Sequence, residues 1–127
     1  MKKISFKDTG LKYALSPYEK PVAYVEPGET LIVEVEDASS GQMRKASDVR
    51  DRDAVPFGNP VVGPIYVEGA KPGDAIIVTI EDIRPTIAQG AIYFSEFNER
   101  YLTEVPILKF VGSTFPRKTK ICKIKNV

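Results

Sequence analysis

Two aspartates stand at the ends of two apolar alternations, and that position makes them candidates for chemistry. Leu31, Val33 and Val35 recur at every second residue and lead to Asp37; Ile76, Val78 and Ile80 do the same and lead to Asp82. Side chains in a strand alternate between faces, so each acid shares the parity of its apolar neighbours and is expected to point toward the core side. A carboxylate there costs free energy unless it is hydrogen-bonded, paired or ligating a cation, which is why such a position is weighed as a site. The competing and weightier reading is that the strand has already reached the rim and the aspartate starts a turn.

Other groups with chemistry to offer are more ordinary. Asp48, Asp51 and Asp53 could hold a hard cation through oxygen, but they interleave with Arg50 and Arg52 and read first as a solvated loop. Ser39-Ser40-Gly41 has neither a Ser-x-x-Lys nor a Gly-x-Ser-x-Gly around it, so a turn is expected. Cys122, the single cysteine, lies in an apolar strand pattern and reads as a structural thiol. The chain has no histidine. That excludes Ser-His-Asp and Cys-His nucleophiles and histidine zinc ligands, so a complete site must use carboxylates, Lys, Tyr, Ser or a partner's residues.

The elements that must position these groups are organised around residues 58–85. There the turn Lys71-Pro72-Gly73-Asp74 puts Pro where φ sits near −65° and Gly where φ must be positive, the type II arrangement. Glu26-Pro27-Gly28-Glu29 repeats it, so strands are expected over 30–36 and 75–82. Further strands are expected over 2–6, 22–25, 65–67, 89–94 and 104–111, and one around Ile121, Cys122 and Ile124 whose lysines mark a protected edge. Residues 11–15 could extend as strand, and 95–103 could make a helical turn. Residues 38–63 carry no sustained period, and so long a connection is the first place to look for a site.

With 127 residues, 43% apolar composition, ten prolines, nine glycines and no amphipathic helix pattern, the expectation is one mainly β domain over 1–127, a sandwich or barrel with a long central loop. Eighteen basic against seventeen acidic side chains give a net charge of +1, which offers no electrostatic case for nucleic acid or an anionic membrane. The opening residues are too soon charged for a secretory signal and no apolar run spans a bilayer, so a cytoplasmic protein is expected.

Asn59-Pro60, Gly63-Pro64-Ile65-Tyr66-Val67-Glu68-Gly69-Ala70 and Pro72-Gly73-Asp74 resemble the signature of the acetamidase/formamidase family. So do Pro27-Gly28-Glu29-Thr30, Glu36-Asp37-Ala38 and Gly41-Gln42 before them. The resemblance implies largely β amidohydrolases that release ammonia from short amides, some with a divalent metal such as zinc. It carries Asp37 over as a catalytic or metal-ligating residue, and Gln42 and Asn59 as substrate-binding residues. Members resembling this chain are roughly two to three times its length, far beyond one domain of this size. Their later portion carries histidine- and aspartate-containing motifs, and a histidine near the N-terminus falls about where this chain has residues 11–15. The resemblance therefore implies a site completed by a second chain carrying the C-terminal half of the fold, where a metal-bound water attacks the amide carbonyl. The alternatives are a non-catalytic remnant acting as a homo-oligomeric binding or structural module, and a self-sufficient enzyme pairing Asp37 with another carboxylate.

Overall fold

Both Pro-Gly turns close as their residues dictate. Gly28 and Gly73 have φ of +84° and +98°, a geometry that glycine enters without a Cβ penalty. The Glu26 carbonyl accepts the N–H of Glu29 at 3.1 Å, and the Lys71 carbonyl accepts that of Asp74 at 3.0 Å. Each turn is locked again by its last residue. A Glu29 carboxylate oxygen accepts the N–H of Glu26 at 3.1 Å, and Asp74 accepts that of Lys71 at 2.8 Å. The backbone donor, with Lys2 beside it at 3.4 Å, holds the Glu29 carboxyl below its ordinary value.

The computed structural model describes residues 1–94 and 117–125. In them the protein is mainly β, as expected. The strands are β1 (Lys2–Ser5), β2 (Ala23–Val25), β3 (Leu31–Glu34), β4 (Ile65–Val67), β5 (Gln89–Phe94) and β6 (Lys118–Lys123), with one helical turn, α1 (Phe6–Thr9). The chain divides into two compact units, Met1–Gly41 with Val55–Glu81 and Gln42–Ala54 with Asp82–Val127.

In the first unit the strands pair in parallel, β1 with β3 (Lys2 opposite Leu31) and β2 with β4 (Ala23 opposite Ile65). Tyr24 and Tyr66 face each other across the second pair with ring centroids 5.4 Å apart. Glu34 takes the Ser5 hydroxyl and lies 3.2 Å from Lys3, which together hold its carboxyl below the ordinary value. The Ser5 hydroxyl also accepts the Lys7 N–H at 3.2 Å, so the chain leaves β1 for α1 at Phe6 rather than continuing as strand. Residues 11–15 contribute only a bridge, Lys12 to Val61. Ile4 and Val25 are buried.

The expected strand over 75–82 does not form. The sequence pattern is there, but a strand is defined by its partner. β3 finds β1, whereas among the described residues the backbone of 75–80 makes no hydrogen bond.

In the second unit β5 and β6 are antiparallel, Gln89 opposite Lys123 and Phe94 opposite Lys118. Residues 42–54 fold onto them. The buried Thr119 hydroxyl donates to the Asp48 carbonyl at 2.6 Å, the Gln89 amide donates to the Arg44 carbonyl at 2.8 Å, and Met43 is only 1% exposed. Within this part of the central loop Asp51, Arg52 and Asp53 are exposed, as their charges suggested, while Met43 and Arg50 are buried. The helical turn expected over 95–103 and the strand over 104–111 lie outside the described residues. Among those described, no helix is long and apolar enough to cross a membrane.

Candidate functional site

Asp37 lies just past the end of β3, and its carboxylate turns back on its own loop. Oδ1 accepts the Ser39 N–H at 2.8 Å, the Ser39 hydroxyl at 2.6 Å and the Gly41 N–H at 3.1 Å. The Asp37 carbonyl closes the same turn by accepting the Ser40 N–H at 2.9 Å. The turn at the rim is thus the reading the geometry favours, and it fixes the carboxylate in place. Ser39 is buried beneath it.

A second loop is stitched to the first. The Ala38 carbonyl accepts the Asn59 N–H at 3.0 Å, and Gly58 passes so close that a Cβ there would sit 3.2 Å from the same oxygen. Asn59 has φ of +54°, which asparagine tolerates better than most residues. Two of the three residues singled out from the sequence, Asp37 and Asn59, are therefore on adjoining loops. A third stretch joins them: the Tyr13 hydroxyl donates to Ser40 Oγ at 2.9 Å and the Tyr13 ring lies 5.9 Å from that of Phe57. Sequence reasoning missed Tyr13. Its one signal was its place in residues 11–15, where the family resemblance located a histidine.

Gln42 lies in the second unit with its amide engaged at both its oxygen and its nitrogen. Its Oε1 accepts from the Arg50 guanidinium and from the Asp51 N–H at 3.1 Å, and its Nε2 donates to the Asp51 carbonyl at 3.0 Å. Asp48 Oδ2 accepts the N–H groups of Arg44 and Lys45 at 2.8 and 2.9 Å, which hold that carboxyl below its ordinary value. Asp51 caps Asp53 and Ala54 in the same way, and Asp82 pairs with Arg84. These acids tie up backbone and do not converge. Among the described residues no three His, Cys, Asp or Glu side chains could hold a metal ion. A cleft of about 390 Å³ lined by Lys12, Leu15, Glu19, Val61 and Pro64 includes neither Asp37 nor Asn59. What the adjoining loops offer is a fixed carboxylate, an amide and a phenol, groups that can hydrogen-bond a small polar substrate.

The chain is similar to several known proteins. Over 66 residues the chain is 46% identical to the acetamidase of Mycolicibacterium smegmatis, half of this chain but 16% of that protein. Over 65 residues it is 43% identical to the formamidase of Methylophilus methylotrophus, again 16% of the relative's length. Its fold matches 38% of the crystal structure of an acetamidase from Bacillus halodurans, with 98% of this chain covered, a TM-score of 0.67 and 23% identity. The family model of the acetamidase/formamidase family matches residues 9–122, and the chain belongs to that family.

Proposed function

We propose that this chain is the N-terminal subunit or segment of a cytoplasmic amidohydrolase whose active site is completed by another chain. The reaction is hydrolysis of a short amide such as formamide or acetamide: the C–N bond breaks, the water oxygen joins the carbonyl carbon, and the nitrogen leaves as ammonia. One observation carries the reading. A family member covering so little of its relatives brings a fixed carboxylate, Asp37, with Asn59 on the adjoining loop, yet has no histidine.

In this reading Asp37 is the catalytic carboxylate of this chain and Asn59 orients the amide. The corresponding role of Gln42 rests on its place in the family motif alone, because its amide is spent on its own loop. The described residues do not fit a divalent metal by themselves; zinc would be held only together with a partner's side chains, with Asp37 as this chain's ligand.

The test is ammonia release from formamide and acetamide, measured for the chain alone, metal-free and with added Zn²⁺, and for the chain co-expressed with the remaining portion of the Bacillus acetamidase. The expected result is silence alone, activity on co-expression, and loss of that activity in Asp37→Asn. Activity of the chain alone would make it a complete enzyme. Silence in both settings would leave the non-catalytic, homo-oligomeric module.

A further inference from the structure

Residues 75–81 of the first unit are built as a strand and lack what a strand needs. Ile76, Val78 and Ile80 on one parity are 64%, 78% and 71% exposed, and Ile77 on the other is 91% exposed. One parity is wholly apolar and the other carries Ala75 and Ile77 beside Thr79, and both are uncovered, the pattern of a strand with at least one buried face. Neither end is adrift. The turn at Lys71 to Asp74 fixes the start through bonds of 2.8 and 3.0 Å, and at the other end Thr30 Oγ1 donates to Glu81 Oε1 at 3.3 Å, just before β3. Among the described residues, the backbone donors and acceptors of 75–80 have no hydrogen-bond partner. An anchored apolar segment with open backbone groups is a template for strand addition.

We infer that a β-strand of the polypeptide carrying the rest of the family fold pairs with residues 75–81 and covers their apolar side chains. The inference rests on the divided-site reading and names its docking element. The occupant follows from coverage. Nearly all of this chain, 98%, matches only 38% of the acetamidase structure, and in the divided-site reading the remaining part of that fold is the neighbour that seats on the anchored segment.

The test co-expresses the tagged chain with the remaining portion of the Bacillus acetamidase. Capture and amide hydrogen exchange are followed for wild type, Val78→Lys and Val78→Thr. Val78 is exposed in the free chain, so neither variant should disturb folding, which the circular dichroism of the free chain checks. Val78→Lys should weaken capture about a hundredfold or more, because a charge is buried without a partner, while Val78→Thr retains most of it. The amides of 76–80 should exchange freely in the chain alone and become protected in the complex. Capture unaffected by Val78→Lys, or amides that stay unprotected in the complex, would overturn the inference. So would a concentration-dependent dimer of the chain alone that Val78→Lys abolishes, since the occupant would then be a second copy. Protected amides without ammonia release would leave the docking strand standing and remove the proposed activity; ammonia release with unprotected amides would do the reverse.

Discussion

Asp37 shows how much of a loop one carboxylate can hold. Three donors converge on Oδ1, and one of them is the hydroxyl of a buried serine. Asp37→Ala leaves that hydroxyl without its acceptor and should destabilise the chain by about 1–3 kcal/mol, whereas Asp37→Asn keeps an acceptor oxygen and should cost less than about 1 kcal/mol. Denaturant unfolding of the two variants checks this, and equal losses would mean the charge itself holds the loop. The contrast matters for chemistry, because Asp37→Asn can then report on catalysis without unfolding the loop. The parity argument that singled out Asp37 went astray for a local reason: β3 ends at Glu34, so alternation no longer dictates where residue 37 points. The turn residues themselves, Asp37, Ser39 and Gly41, gave the better guide.

Among the elements, the legible ones were those whose conformation is set within a few residues. Pro27-Gly28 and Pro72-Gly73 fix φ directly, and β4 and β5 form over the residues expected of them. The parallel pairings of β1 with β3 and β2 with β4 join residues far apart in sequence, and no local signal announces them. The loop over 42–54 was legible in part: Asp51, Arg52 and Asp53 are exposed as expected, but its anchoring through Met43 and Arg50 was not foreseen. Those three charged side chains face solvent while Asp48 and Gln42 bond backbone, and Met43 is drawn under Thr119. Asp48 gives this loop a pH dependence. Its folded-state value is depressed, so its contribution is fully present above the unfolded aspartate value of about 3.9 and is lost as pH falls through the lower folded value. An acid titration of stability should therefore fall less steeply below about pH 4 in Asp48→Asn than in wild type; identical acid limbs would show that Asp48 does not hold the loop.

For the molecule as a whole, the described residues bury few apolar side chains, Ile4, Val25 and Met43, while Ile32, Val33, Val35 and the isoleucines of 75–81 stay exposed. Described residues that bury so little should release little apolar surface on unfolding. Calorimetry of the chain alone should give a heat-capacity change below the usual 12–15 cal/mol/K per residue, about as found for complete domains. On the proposed divided-site reading, addition of the polypeptide carrying the rest of the family fold should raise the midpoint in a concentration-dependent way. A full-sized heat-capacity change for the free chain would mean that its core is already complete.

The run Ala75-Ile76-Ile77-Val78-Thr79-Ile80 carries neither charge nor proline, and held open it has the makings of cross-β stacking. On the divided-site reading proposed above, each copy made in excess of the complementing polypeptide is thus a hazard to the others, and matched dosage of the two, with a chaperone on the segment until they meet, would remove it.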